Sequence, residues 1–305
     1  HWVFTNASHM DKTSYIEVIK TLQYSVVEYD YKFCKLRSIE KHIEVEGSCQ
    51  CEQGSFGKLF AVFLSKASTV FWMSEDQSKR YFERFPVLET KSNYILSSIF
   101  NSELLDTLAA TPKSTESKEE SYLILGSNSW IKGTEDAILY AQKKNLKYEI
   151  VSGLPYRQML DKIASHQGLI FLPKGADTCP RLVIEAALMG SKLILNDNGQ
   201  HQNEAWFKNK NVEQISTAIG GAAITGSVVE GNIDKSSQTE DPNILSDEKI
   251  IPALEFIDEE KEVGDQSAIP GTVNEYGFEK TAGLQSAVQN VSKILATNAG
   301  EVIPS

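Results

Sequence analysis

Cysteine is scarce: four occur in 305 residues, at Cys34, Cys49, Cys51 and Cys179. That is too few and too scattered for the disulfide framework of a small secreted scaffold, so a reducing, cytoplasmic setting is expected. No apolar run reaches the ~18 residues that a membrane-spanning helix needs, and mean hydropathy is −0.27. Glycine, at 19, and proline, at 9, fall short of collagen-like or low-complexity composition. Basic residues are also in deficit, 30 Lys and Arg against 41 Asp and Glu for a net charge of −11. Such a balance lacks the basic footprint of a nucleic-acid binder. The chain starts at His1 with neither a methionine nor a signal-type apolar stretch, as expected of a piece of a longer protein.

What is present is a globular composition, 41% hydrophobic and 23% charged. At roughly 150 residues per domain, this length accommodates about two domains. The charge is unevenly placed. Residues 216–305 hold 5 Lys, no Arg and 15 acidic residues, a net of −10, which leaves residues 1–215 near neutrality at −1. The pattern divides the chain into a first domain over 1–110, a linker over 111–120, a second domain over 121–215 and an acidic extension over 216–305. The linker is rich in Thr, Ser, Lys and Glu and has no apolar face. The extension is solvating, with one helical candidate at 283–296, where Leu284, Val288, Val291 and Leu295 recur at helical spacing.

Within the first domain, residues 24–30, 69–73 and 94–100 read as strands, with helices over 58–66 and 77–84. About three strands make it a small or incomplete domain. In the second, 122–125, 148–151, 168–172 and 192–195 read as strands, separated by helices over 134–145, 155–166 and 180–189. Strands alternating with helices of this length specify βαβ units and parallel sheets. The runs Leu123-Ile124-Leu125 and Leu169-Ile170-Phe171-Leu172 suit strands covered on both faces.

Ligands of open parallel sheets sit at the carboxyl ends of the strands. The loops there carry Gly126, Ser127, Lys132, Gly133, Gly153, Asp177, Thr178 and Arg181. No G-x-G-x-x-G follows the first strand of this domain, and no G-x-x-x-x-G-K-[ST] phosphate loop occurs, which excludes the two commonest nucleotide fingerprints. Pro180 suits a first helical turn. Arg181 and Leu182 would then present free backbone N–H groups to an anion, assisted by the Arg181 and Lys132 cations. Glu185 lies five residues after Pro180, about 7.5 Å along a helix axis. From there it would reach a ribose whose diphosphate rests on the helix tip. Its neighbours Leu182-Val183-Ile184 and Ala186-Ala187-Leu188 leave little polar face, so this carboxylate needs a partner.

Phe171-Leu172-Pro173 followed by Asp177-x7-Glu185-Ala186-Ala187-Leu188-Met189-Gly190 resembles the E-x7-E region of nucleotide-sugar glycosyltransferases with two Rossmann-like domains. Leu125-Gly126-Ser127 through Ile131-Lys132-Gly133 is similar to their K-G loop. The resemblance covers residues 122–198 closely, 24–105 more loosely, and nothing beyond about 215. It implies an α/β fold of two Rossmann-like domains with parallel sheets (GT-B type) and transfer of a sugar from a nucleoside diphosphate, with retention, to a glycan, lipid or protein acceptor. It also implies Glu185 on the donor ribose, Lys132 on the diphosphate, and Asp177 near the transferred sugar. Two departures stand out: Asp177 replaces the usual first glutamate, and Lys192 stands where proline is frequent.

In such enzymes the first domain carries the acceptor pocket and often the base. Glu28 and Asp30, at alternate positions of one strand, would point to the same face and act on one substrate group, or else one caps a turn and the other pairs with Lys32 or Lys35. His9 and the pair Ser74-Glu75 are further candidates. No cofactor is expected. A metal is one alternative, since Cys34, His42, Cys49 and Cys51 offer the four N/S ligands of tetrahedral zinc. Their C-x7-H-x6-C-x-C spacing matches no common zinc module, and thiols in a loop is the other reading. A non-catalytic nucleotide-sugar or polyanion binding module, and a sugar-nucleotide epimerase, are the competing functions.

Overall fold

A computed structural model of the chain describes residues 1–8, 10–98, 100, 102–110, 119–204 and 207. His9, the extension over 216–305 and its helical candidate lie outside the described residues. The fold is α/β with two parallel sheets of four strands each. The chain divides between Ile95 and Leu96 into two compact units, earlier than the boundary at 110 read from composition.

The first unit holds β1 (Trp2–Phe4), α1 (Lys12–Thr21), β2 (Tyr24–Glu28), α2 (Ile39–Glu46), α3 (Ser55–Lys66), β3 (Thr69–Trp72), α4 (Glu75–Arg84) and β4 (Asn93–Ile95). Its strands lie in sequential order, β1-β2-β3-β4, and pair in parallel, with Val27 opposite Phe71. Every residue of β2 and β3 is buried, as strands covered by helices on both faces must be. Two aromatic clusters fill the layers. Tyr15, Tyr24, Phe60 and Phe63 interlock, with the Tyr24 and Phe63 rings stacked at 5.0 Å. Elsewhere Tyr81 packs against Trp72 at 4.7 Å and Phe33 at 5.2 Å.

This unit has four strands where about three were expected. The added one, β1, pairs with β2 through Trp2, Val3 and Phe4. The strand expected over 94–100 stops at Ile95, because Ser97 takes a left-handed backbone, φ 57°, which extended structure does not allow.

The second unit holds α5 (Ser102–Ala110), β5 (Glu119–Leu125), α6 (Thr134–Lys143), β6 (Tyr148–Val151), α7 (Tyr156–Ser165), β7 (His166–Phe171), α8 (Arg181–Leu188) and β8 (Lys192–Leu195). Alternation along the strands sorts its core. Leu123, Leu125, Leu169 and Phe171 join the helices α5, α7 and α8 in one cluster, while Ile124 and Ile170 join Ala137 and Ala141 of α6 in the other. The strand order is β6-β5-β7-β8. The chain therefore leaves β5 to one side, returns, and continues on the other. That reversal opens a crevice at the carboxyl ends of β5 and β7, where open α/β sheets bind ligands. Among the described residues, no helix is long and apolar enough to cross a membrane.

Candidate functional site

The loop leaving β5 is folded onto the loop leaving β7. Gly133 has φ 63°, and a Cβ there would run into the Leu172 carbonyl oxygen; only glycine allows this approach. The Lys174 N–H donates to the Ile131 carbonyl at 3.1 Å, closing the contact. Gly133 is the N-cap of helix α6. The Thr134 hydroxyl donates to the Leu125 carbonyl at 2.8 Å and accepts the Ser127 N–H at 3.1 Å, fixing the loop from inside. The loop after β8 braces the same region, where Asn196 and Asn198 donate to the Pro173 carbonyl at 2.9 and 3.0 Å. Asp177 N–H donates to the Asn198 carbonyl at 2.8 Å.

Two hollows open on this platform. One, of about 210 Å³, is bounded by Leu125, Lys132, Phe171, Arg181, Leu182 and Glu185. The other, of about 440 Å³, is bounded by Gly126, Ser127, Asn128, Thr134 and Gly153. A Cβ at Gly126 would press on Ile150 Cγ2 at 2.9 Å, so a side chain there would have to displace Ile150. Every candidate named for donor binding therefore borders one hollow or the other, save Gly133 and Thr178. Gly133 shapes the loop, and Thr178 is buried beside Asp177.

Glu185 is 2% exposed, and its partners are now visible. Tyr156 Oη donates to Oε1 at 2.7 Å and Arg181 Nε donates to the same oxygen at 2.8 Å. Burial pushes its pKa up from the ordinary carboxylate value, while Arg181 and Tyr156 pull it back. The Arg181 guanidinium lies 4.6 Å from the Phe100 ring centre and 5.9 Å from that of Tyr156, a cation held between aromatic faces. Tyr156 was not singled out by the sequence, because nothing in the first turn of α7 signals a partner for a residue twenty-nine positions away.

The expectation of two free N–H groups, on Arg181 and Leu182, fails at Arg181. The Arg181 N–H is not free: it donates to the Cys179 carbonyl at 2.8 Å, and Val183 N–H donates to the Pro180 carbonyl at 2.9 Å. The chain turns tightly over Pro180, which takes ψ 75° as the N-cap, so an anion here would lose one of the two expected backbone donors and lean more on side chains. Lys132 and Asp177, read as the phosphate and sugar contacts, form an ion pair at 2.7 Å. Cys179, on the rim, shares a 2.9 Å hydrogen bond with Ser98. Burial pushes its thiol up to about 11, leaving it neutral and a poor nucleophile at pH 7.

In the first unit β2 ends at Glu28, so Asp30 stands in the loop after it rather than on the same strand, yet the two carboxylates meet on one partner. Lys32, only 4% exposed, meets Glu28 Oε2 at 3.1 Å and Asp30 Oδ1 at 3.2 Å. Glu28 Oε1 also accepts from Tyr81 Oη at 3.0 Å, and Asp30 is clamped by Arg37. Both carboxylates thus meet Lys32, the partner named as the alternative to a catalytic role. Burial pushes Glu28 up to about 7, with Lys32 opposing. Burial also works against the Lys32 ammonium, but Glu28 and Asp30 hold its pKa above the ordinary value. Ser74 is the N-cap of α4, accepting the Gln77 N–H at 3.1 Å, and Glu75 pairs with Lys79 on the surface at 3.4 Å; both have structural duties.

Cys34, His42, Cys49 and Cys51 also converge. Their ligand atoms all lie within 4.8 Å of one another. Cys34 Sγ is 3.4 Å from His42 Nδ1, Cys51 Sγ is 3.3 Å from the same nitrogen, and Cys49 Sγ is 3.8 Å from Cys34 Sγ. His42 Nε2 lies 3.0 Å from Glu46 Oε2. Comparison with known proteins finds no matching family model and no similar curated sequence.

Proposed function

We propose that the second unit binds a nucleoside diphosphate sugar and that the chain transfers the sugar to an acceptor. The observation that carries this reading is the convergence, at the strand-order reversal between β5 and β7, of a buried carboxylate and two cations around one hollow. Glu185 would accept the ribose hydroxyls, and the Lys132 and Arg181 side chains would hold the diphosphate. Asp177, beside Lys132, would face the sugar. The two-domain GT-B arrangement and the resemblance around Asp177-x7-Glu185 belong to the same reading.

In the reaction, the bond between the anomeric carbon and the diphosphate oxygen breaks, and the diphosphate leaves with the electron pair. An acceptor oxygen bonds the anomeric carbon, and its proton passes to the departing phosphate. Lys132 and Arg181 would stabilise the charge growing on the diphosphate. The acceptor is assigned to the first unit. There Asp30 is the more accessible of the paired carboxylates, its side chain 24% exposed against 1% for Glu28.

A second reading is a binding module without turnover. It is favoured by the ion pairs already made by Asp177 with Lys132 and by Glu28 with Lys32, which occupy the groups nominated for chemistry. Incubation with a panel of nucleotide sugars separates the two. Release of the nucleoside diphosphate, with or without added glycan acceptors, supports transfer. Saturable binding with no release supports the module.

A further inference from the structure

The four-residue cluster of the first unit is built by three short pieces of chain. Cys34 sits in a turn after β2, in which Cys34 N–H donates to the Tyr31 carbonyl at 2.9 Å and Arg37 N–H to the Cys34 carbonyl at 2.8 Å. His42 is on α2. Cys51 opens a single 3₁₀ turn, Cys51–Gln53, just ahead of α3, and Cys49 precedes it. Helix α3 approaches that turn so closely that a Cβ at Gly57 would collide with the Cys51 carbonyl oxygen.

Three of the six separations between ligand atoms match the edges of a tetrahedron around one ion, and all six fall within 4.8 Å. Zinc bonds of about 2.3 Å to sulfur and 2.0–2.1 Å to nitrogen place tetrahedral vertices about 3.8 Å apart for two sulfurs and about 3.5 Å for sulfur and nitrogen. The corresponding separations here are 3.8 Å for Cys34 with Cys49, and 3.4 and 3.3 Å for the two sulfurs nearest His42. A disulfide would instead need the sulfurs at about 2.05 Å, and all four cysteines are free thiols.

The imidazole is oriented for a metal as well. A carboxylate only accepts, so the 3.0 Å contact with Glu46 places the proton of His42 on Nε2. Nδ1 then carries a single in-plane lone pair, and two sulfurs approach it. Cys34 S–H can also donate to the Ser38 carbonyl at 3.5 Å, and a cation between the sulfurs would take the Nδ1 lone pair directly. A carboxylate on the far nitrogen is the usual support of a zinc-bound histidine.

The local fold has need of such a clip. Helix α2 has eight residues and buries only Ile39 and His42, leaving Ile43 46% and Val45 62% exposed. A helix that short, with one buried aliphatic side chain, is marginal by itself. We propose that Cys34, His42, Cys49 and Cys51 bind one structural zinc ion that pins the crossover between β2 and α3. Four protein ligands leave no position for water or substrate, so the site is closed and non-catalytic. Binding displaces the three thiol protons to solvent and leaves a centre of charge −1, beside which lies the Lys35–Glu46 pair at 2.7 Å.

The test uses the full chain, purified without added metal, then exchanged into cobalt. One zinc per chain by elemental analysis is expected, released in full by a thiol-blocking mercurial. The cobalt form should show the intense ligand-field bands of a tetrahedral thiolate site and sulfur-to-cobalt charge transfer. Cys51→Ser should lose about a third of that charge-transfer intensity, one thiolate of three, and Cys179→Ser none. Zinc well below one per chain after refolding in zinc and dialysis would overturn the proposal, as would a cobalt spectrum that Cys51→Ser leaves unchanged. Should Cys51→Ser fail to fold, the stoichiometry and spectrum of the unmodified chain decide. The acidic extension contains neither Cys nor His, so it cannot supply the thiolate signature.

Discussion

At the level of single residues, the charged groups nominated for binding already have partners in place. Lys132 meets Asp177 at 2.7 Å, and a diphosphate would draw the same ammonium toward itself. Charge-assisted hydrogen bonds are worth about 1.5–3 kcal/mol, so Lys132→Ala should weaken the preferred nucleoside diphosphate roughly 10- to 100-fold. The free nucleoside should change by less than about twofold. Competition binding with both ligands checks this, and equal losses for the two would remove Lys132 from the phosphate. Glu185→Gln keeps the shape but removes the charge facing Arg181, and should lower nucleotide affinity about tenfold, or ~1.4 kcal/mol. Glu28 gives a pH signature. Its folded pKa, about 7, lies above the ordinary 4.5. The folded state therefore holds the proton more tightly, and the stability this confers is complete below about 4.5 and lost as pH rises through 7. The cost of Glu28→Gln should shrink over that interval by on the order of 3 kcal/mol, read by urea unfolding at pH 5 and pH 8; a pH-independent cost would contradict it. That Glu185 needed a partner was legible in its apolar flanks. Arg181, four residues away on the same helix, was within reach of sequence reasoning, but Tyr156 was not, since only the packing of α7 on α8 brings it there.

Elements were legible in proportion to how much apolar surface they bury. The interior strands β2, β3, β5 and β7 stood out because covering both faces demands continuous apolar runs. The edge strand β1 has three residues, with Trp2 61% exposed, and α1 and α2 bury two residues apiece, so neither periodicity nor composition marks them. The end of β4 is set by the left-handed Ser97, which no pattern of side chains announces. Convergence of the cysteines is a tertiary effect too: α2 and the 3₁₀ turn fold a spacing that matches no common module into four neighbouring ligands. The β5–α6 turn makes the sharpest element-scale test. Gly133→Ala forces a side chain into the left-handed region and against the Leu172 carbonyl, and should cost about 2–4 kcal/mol of stability. Thermal unfolding measures it. A loss below about 0.5 kcal/mol, typical of an exposed surface change, would mean that the loop is not held as described.

For the whole molecule, the two proposals act on different units and are separable. By hydrogen exchange, a bound nucleoside diphosphate should protect the amides of residues 126–132 and 177–182 in the second unit. Removing zinc should expose those of α2 and the Cys51 turn in the first. Protection confined to the first unit on adding nucleotide would contradict the assignment of the donor site. The strand orders agree with this division: the first sheet runs sequentially, whereas the second reverses at β5 and β7, where the two hollows lie. The most direct measurement is calorimetric titration of the full chain with UDP, GDP and ADP, repeated on Glu185→Gln and Lys132→Ala. One of the three should bind at a single site, far more tightly than its nucleoside, with both substitutions weakening it. No binding by any of them, or binding that neither substitution alters, would contradict the central claim.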